Sequence, residues 1–197
     1  MTQFYHGSGI LFDRFDLSHA LEGDGKVKFG YGVYLTSRFA SAAHYSGSNK
    51  DWQDHYVYTV EIPEVTTDNT IHFQRPVSAT VISKAATLLG TAIPESKTLN
   101  GKDFRKFLAA ALLKRLIAEA KAAGATEPAK IEGEKAASAL LLKAGVEYIE
   151  WPYNWKNPTD GTNIAVLDDS KIRITRIDRV ELDDKKKLVE GSEQQIR

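Results

Sequence analysis

The chain has 197 residues, of which 42% are apolar and 26% are charged, values that exclude disordered and fibrous proteins and fit one globular domain. Its 26 basic and 26 acidic residues balance, which disfavours a partner held through a polyanionic backbone, such as nucleic acid. Cysteine is absent, and this excludes disulfides, thiol nucleophiles and cysteine-ligated zinc.

The first residues of the chain lack the basic and apolar regions of a secretory signal. No apolar run reaches the roughly eighteen residues that a membrane-spanning helix needs. We therefore expect a cytoplasmic protein without a membrane partner, and delivery into a target cell is the alternative.

The N-terminal third is rich in aromatic residues and alternates with period two, which predicts strands. The predicted strands are 4–7, 31–36 and 56–62. A short helix from Arg38 to about Tyr45 follows the second of them, and Thr36 or Ser37 is its expected N-cap.

The middle of the chain is rich in alanine and leucine and predicts helices over 77–90, 103–123 and 132–143. The second helix has an apolar face made by Phe104, Phe107, Leu108, Ala111, Leu112 and Leu116. Its other face carries Arg105, Lys106, Lys114, Arg115 and Lys121. We interpret the basic face as a solvated surface, and an RNA-binding face is the alternative.

Alternation returns in the last part of the chain and predicts strands over 147–151, 163–167 and 172–177. The tail from Asp178 is charged and is expected to fray. Strands at both ends with helices between them predict one α+β domain over 1–197, with a helical insertion at about 77–145 and a charged tail at about 178–197.

Common catalytic and cofactor motifs are missing. The five histidines have no metal-ligand spacing, so no metal site is expected. The glycines at 30 and 32 precede a strand, whereas a dinucleotide fingerprint opens a helix. Ser8 lacks the sequence context of a nucleophile. What remains is Tyr-His-Gly-Ser at 5–8, Gly-Tyr-Gly-Val-Tyr-Leu-Thr at 30–36, and Tyr45 eleven residues after Tyr34.

These blocks resemble the ADP-ribosyltransferases of the diphtheria-toxin and poly(ADP-ribose) polymerase type, whose signature is His, Tyr and Glu on three strands. Residues 162–168 and 172–174 look like the third strand of the family and its partner. The resemblance covers 4–62 and 145–177, and the helical middle matches only as an insertion. It implies a split, twisted β core with NAD as the substrate. It also implies site residues. The catalytic positions are His6, Tyr34 and Asn163, and the NAD-binding positions are Gly7, Ser8, Gly32, Tyr34, Ser41 and Tyr45.

The chemistry of NAD cleavage suits such a set. The site has to hold the carboxamide, stack the nicotinamide ring and stabilise a cationic ribose. The backbone N–H and C=O at Gly7 can bind an amide, two tyrosines can enclose a pyridinium, and an imidazole can bond a ribose hydroxyl. Taken singly, His6, Tyr34 and Tyr45 are each better explained as core residues; their joint order favours the site.

Two positions depart from the family pattern. Ala42 stands where the family has a carboxamide-binding serine, and Ser41 is its neighbour. Asn163 stands where the family has glutamate. A charge contact at about 4 Å contributes about 4 kcal/mol, and its loss slows a reaction roughly a thousandfold. In the family, relatives without the glutamate tend to be mono-ADP-ribosyltransferases, pseudoenzymes or enzymes that recruit another acid, so the resemblance implies no chain elongation. Acids that could substitute for the glutamate are Glu147, Glu150 and Asp160.

The resemblance implies a mono-ADP-ribosyltransferase that cleaves the nicotinamide–ribose bond and modifies a macromolecular acceptor, with protein favoured over nucleic acid. A bacterial or phage toxin or effector, with an antitoxin or immunity protein as partner, fits this function. The alternatives are an NAD glycohydrolase, a transferase of RNA phosphate to NAD, and a non-enzymatic protein that binds NAD or ADP-ribose or serves as an interaction module.

Overall fold

The computed structural model of the chain describes residues 1–20, 27–93 and 99–197. Its strands are β1 (Thr2–Ser8), β2 (Val33–Thr36), β3 (Tyr56–Ile62), β4 (Thr70–His72), β5 (Tyr148–Pro152), β6 (Thr162–Val166), β7 (Arg173–Arg179) and β8 (Gln194–Gln195). Its helices are α1 (Phe39–Ser46), α2 (Ala79–Leu89), α3 (Gly101–Ala122) and α4 (Lys130–Lys143). The predicted α+β class is confirmed.

The strands form one mixed sheet in the order β4-β5-β6-β2-β1-β3-β7-β8, in which only β4 and β5 are parallel neighbours. The sheet is narrow in its middle, because β1 and β2 are in register only at Tyr5 and Thr36. By contrast, β1 pairs with β3 along its whole length. Two four-stranded halves therefore meet at a single paired position.

One face of the sheet is covered by the helices. The helices α2, α3 and α4 pack over β5 and β6 in a cluster that includes Phe104, Leu108, Leu141, Ile149 and Trp151. On the other half, Ala42 and Ala43 of α1 pack against Val57 and Tyr5. Both groups of helices lie on the face of the sheet from which the side chains of Tyr5 and Thr36 project.

The opposite face of the sheet carries an apolar cluster that extends across both halves. It combines Tyr58, Val60 and Ile177 from one half with Tyr148 and Ile164 from the other. The residues that follow β1, among them Phe12, Phe15 and Leu17, pack against this cluster and cover it.

The helix ends follow from local side chains. Ser78 caps α2 by accepting a hydrogen bond from the Val81 N–H, and Gly90 ends the helix in the left-handed conformation. Asn100 caps α3 in the same way through the Asp103 N–H. The three middle helices were predicted within about three residues of these bounds.

Four features differ from the sequence expectations. Neither Thr36 nor Ser37 caps α1, whose N-cap residue is Arg38 without a side-chain cap. The Ser37 hydroxyl accepts the Thr162 N–H and ties β2 to β6, and the Thr36 hydroxyl accepts the Arg38 N–H at 3.3 Å. Arg105 does not lie on the solvated face of α3, since its side chain is 2% exposed. The tail after β7 folds back and adds β8 as an edge strand. The short strand β4 was not predicted, because three residues are too few to show alternation.

No helix within the described residues combines the length and the apolar character that crossing a bilayer requires.

Candidate functional site

The first two predicted site residues meet where the sheet is narrowest. Beyond the pair of Tyr5 and Thr36, the strands β1 and β2 separate, and Gly7 and Tyr34 are the next positions on either side of the opening. The imidazole of His6 spans this opening, and its Nδ1–H donates to the Tyr34 carbonyl at 2.9 Å. The structure therefore brings His6 and Tyr34 into direct contact.

The environment of His6 keeps its ring neutral. Its ring centroid lies 5.1 Å from that of Phe15 and 6.2 Å from those of Phe12 and Tyr58. Burial among these rings lowers the pKa of His6 and outweighs the hydrogen bond to Tyr34, which raises it. Because Nδ1 donates to a carbonyl, the neutral ring has its lone pair on Nε2. That nitrogen can accept a hydrogen bond from a hydroxyl.

The helix α1 lies directly against Gly7. A Cβ at Gly7 would come within 1.7 Å of the Ala42 carbonyl oxygen, so only glycine permits this approach. The contact places Ala42, the position of the family serine, beside the Gly7 backbone. The two positions that the resemblance assigns to carboxamide binding are thus neighbours.

Tyr45 projects from the flank of α1 that also carries Ala42. Its side chain is 53% exposed, and its ring contacts His44 at 5.8 Å. The neighbouring His44 contacts the tail, where its Nδ1–H donates to the Lys186 carbonyl. No ring contact between Tyr45 and Tyr34 occurs in the described part of the chain. The phenol of Tyr45 is accessible for stacking.

The remaining predicted binding residues have structural partners. The Ser8 hydroxyl accepts the Ile10 N–H at 3.0 Å. A Cβ at Gly32 would lie 2.6 Å from the Val166 carbonyl oxygen, so glycine at this position allows the chain to approach β6 closely just before β2. Ser41 is buried on α1, one turn before Tyr45 and on the same side of the helix.

Tyr34 is held at its hydroxyl end. The hydroxyl accepts the Phe29 N–H and donates to the Gly30 carbonyl, both at 2.9 Å. Its ring lies edge-on to Phe29 and to Trp151, which stack on each other with centroids 3.9 Å apart. The ring of Tyr34 is therefore fixed in place before any ligand binds.

Asn163 lies on the same face of the sheet as Tyr34. It pairs with Thr36 across β2, and Tyr34 is the diagonal neighbour on that face. The residue is 7% exposed, and its Oδ1 is buried without a hydrogen-bond partner among the described residues. The side chain of His6 lies on the opposite face, among Phe12, Phe15 and Tyr58, and contacts the Tyr34 carbonyl through the opening.

The three acids considered as substitutes for a catalytic glutamate are placed differently. Glu147 precedes β5 and accepts a hydrogen bond from the Asn69 amide. Asn163 pairs with Trp151, at the other end of β5, so Glu147 does not lie beside it. Glu150 pairs with Ile164 and so faces away from Asn163. Asp160 precedes β6 closely enough to lie near Asn163, but Arg38 neutralises its carboxylate at 2.5 Å.

Sequence reasoning missed three charged residues around this site. Arg38 pairs with Asp160 and lies over the Tyr153 ring at 4.7 Å. Arg105 and Glu134 form an ion pair between α3 and α4 on the side of Tyr34. Nothing in the sequence distinguished Arg105 from the other basic residues of its helix, because its partner is 29 residues away.

Two clefts on the described surface are lined by residues other than His6, Tyr34 and Asn163. One, of about 440 Å³, lies beside α1 and is lined by Gln3, Tyr5, Phe39, Thr59, Arg176, Asp178 and Glu193. Another of similar volume lies between the 53–55 segment and the residues after β7. Within the described ranges, no group of three or more His, Asp or Glu side chains is placed to hold a metal ion.

Comparison with known proteins found no match for this chain among protein families, curated proteins or solved structures.

Proposed function

We propose that the protein is a mono-ADP-ribosyltransferase of ADP-ribosyltransferase-like fold that cleaves NAD at the nicotinamide–ribose bond and transfers ADP-ribose to a macromolecular acceptor. The observation that carries the proposal is the unpartnered Oδ1 of Asn163. A buried acceptor without a donor costs about 1–3 kcal/mol, so an atom of this kind calls for an explanation, and a catalytic role is one. A ribose hydroxyl is a donor of the required kind.

The surrounding residues supply the other requirements of NAD cleavage. The Gly7 backbone lies at the opening, where it can bind the carboxamide, and the exposed ring of Tyr45 can stack on nicotinamide. The free Nε2 of His6 can accept a bond from a second hydroxyl. Tyr34 provides a fixed wall because its hydroxyl is already bonded.

The proposed catalysis depends on positioning more than on charge. Asn163 cannot take a proton or offer a full negative charge, and Arg38 neutralises Asp160. Departure of neutral nicotinamide needs no protonation, so orientation of the ribose by hydrogen bonds can still accelerate the reaction. A slow transferase that adds a single ADP-ribose is expected.

The test uses the full chain with NAD labelled in the adenosine part. Released nicotinamide, label on protein and nucleic acid from a lysate, and NAD affinity by calorimetry are measured together. We expect nicotinamide release and labelled protein. Asn163→Ala should lower turnover at least tenfold and affinity only slightly, because the hydroxyl bond matters most in the transition state. Asn163→Glu should raise NAD hydrolysis by restoring the negative charge.

The exposed Asn157 provides a matched control, because Asn157→Ala removes the same amide in the loop before β6. This variant should behave as wild type. Unchanged turnover and affinity in Asn163→Ala would mean that Asn163 is a structural residue and would contradict its proposed role.

A second candidate is a protein that binds NAD or ADP-ribose without cleaving it. The absence of a carboxylate at position 163 and the pairing of Asp160 with Arg38 favour it. Measurable NAD affinity without nicotinamide release, in wild type and in Asn163→Glu, would establish this function instead. Release without labelled acceptor would indicate an NAD glycohydrolase.

A further inference from the structure

The structure contains a buried charge that the proposed function does not use. Arg105 on α3 forms an ion pair with Glu134 of α4, and both side chains are shielded from water, at 2% and 13% exposure. Arg105 also donates from Nη2 to the Lys28 carbonyl at 3.2 Å, and its Nε has no partner in the described part of the chain. A buried guanidinium is costly, so its position calls for a role.

The segment that Arg105 holds is the segment that holds Tyr34. Phe29, the residue after Lys28, donates its N–H to the Tyr34 hydroxyl, and Gly30 accepts from that hydroxyl. Gly30 has a φ of +115°, and a Cβ there would lie 3.2 Å from Cδ of Arg105. A continuous series of contacts therefore connects α4, through Arg105 and the 28–30 segment, to the ring of Tyr34.

The electrostatics support this proximity. Burial raises the pKa of Tyr34, while the charge of Arg105 acts to lower it and that of Glu134 to raise it. Both charges are thus close enough to act on the phenol.

We propose that Arg105 is a positioning residue: fixed by Glu134, it holds the Lys28 carbonyl and thereby orients Tyr34 as one wall of the nicotinamide site. The helical insertion, which the family resemblance leaves unexplained, then completes the site from outside the sheet. The consequence for NAD rests on the proposed function, whereas the coupling between Arg105 and Tyr34 does not.

Arg105→Lys separates positioning from simple charge pairing. Arginine is a planar fork that can bond Glu134 and Lys28 at once, whereas lysine is a point charge that can keep only the ion pair. Two measurements are made: exchange of the Phe29 amide by NMR without NAD, and NAD affinity by calorimetry. We expect roughly tenfold faster Phe29 exchange and several-fold weaker NAD binding in Arg105→Lys. Arg115→Lys, in an exposed pair on the same helix, is the matched control and should change neither.

A double-mutant cycle with Tyr34→Phe tests the route. Tyr34→Phe removes the hydroxyl that the segment binds, so adding Arg105→Lys to it should weaken NAD binding no further. Fully additive losses would contradict the coupling. So would wild-type Phe29 exchange in Arg105→Lys, because the charge alone would then suffice.

The two proposals fail in different ways. If wild-type protein does not bind NAD, the proposed function fails, and the Phe29 exchange rate still decides the coupling: faster exchange in Arg105→Lys supports it and unchanged exchange overturns it. If Arg105→Lys does not fold, Glu134→Gln replaces it, since the neutral amide loosens Arg105 while keeping its shape. The same criterion applies to Phe29 exchange in that variant.

Discussion

At the scale of single residues, His6 has two tasks that its burial makes compatible. It closes the opening between β1 and β2 by donating to the Tyr34 carbonyl, and it keeps an acceptor nitrogen free. The second task requires the neutral ring, since a protonated ring has no acceptor, whereas the Nδ1–H can donate to Tyr34 in either form.

The protonation of His6 predicts a pH dependence of stability. Its pKa lies below the ordinary 6.5 in the folded chain, so the unfolded chain binds the proton more readily. The stabilising contribution is complete above about pH 6.5 and is lost as the pH falls through the lowered folded value. Between about pH 7.5 and about pH 5, the free energy of unfolding in urea should fall less in His6→Asn than in wild type. The asparagine amide can still donate to the Tyr34 carbonyl.

His72 serves as the comparison for this measurement. Burial and the nearby charge of Arg75 lower its pKa too, so His72→Asn should remove a separate part of the same pH dependence. A His6→Asn variant with the full wild-type loss would show that His6 does not titrate differently on folding.

Tyr45 predicts a difference between ring and hydroxyl. The side chain is 53% exposed, so substitution should change stability little. Tyr45→Ala should weaken NAD binding roughly fivefold, the value of one aromatic contact, and Tyr45→Phe should retain most of the affinity. Calorimetry with NAD checks this. Equal losses in both variants would assign the effect to the hydroxyl and remove the stacking role.

At the scale of elements, α1 and β1 are positioned by one glycine. The helix backbone at Ala42 and Ser46 lies so close to Gly7 that any side chain would displace it. The same contact brings the flank of Tyr45 to the opening. Packing of this element pair therefore determines both stability and the geometry of the site.

Gly7→Ala should destabilise the protein by about 1–3 kcal/mol, the usual cost of overpacking, because its Cβ would strike backbone that cannot rotate away. Chemical unfolding measures the difference. Gly47→Ala is the control: its φ is −90°, and the nearest atom to a Cβ there is the flexible end of Leu182. A Gly7→Ala variant as stable as Gly47→Ala would mean that α1 can shift without cost.

At the scale of the whole molecule, two halves of the sheet meet at one paired position, and the predicted site residues His6, Gly7 and Tyr34 lie next to it. A ligand that binds across this opening would join the halves. The connection between α3 and α4 is exposed at 121–127, and its hydrogen exchange should not change when a ligand binds at the opening.

Hydrogen exchange should therefore slow on NAD addition in β1, β2 and α1, with no change at 121–127. Mass spectrometry of the full chain with and without NAD provides the measurement. Protection confined to the cleft lined by Arg176 and Glu193 would place the binding site there and contradict the opening.

Most elements could be predicted because their signals are local. Alternation over 56–62 and helical spacing over 103–123 identify β3 and α3 directly, since a face buried in either element repeats along the chain. The order of His6, Tyr34 and Tyr45 is likewise a property of the sequence, and it is what motivates the resemblance. The prediction of site residues stays a prediction.

Other features depend on partners that are distant in the chain. The sequence alone determined the α+β class, the main strands and the helical middle, because hydrophobic periodicity and caps act within a few residues. Only the tertiary structure decided that Arg105 is buried against Glu134, that Ser37 joins β2 to β6, and that Asn163 shares a face with Tyr34 while its Oδ1 has no partner. These facts depend on strand register and helix packing, which bring together residues up to about 130 positions apart and leave no local trace.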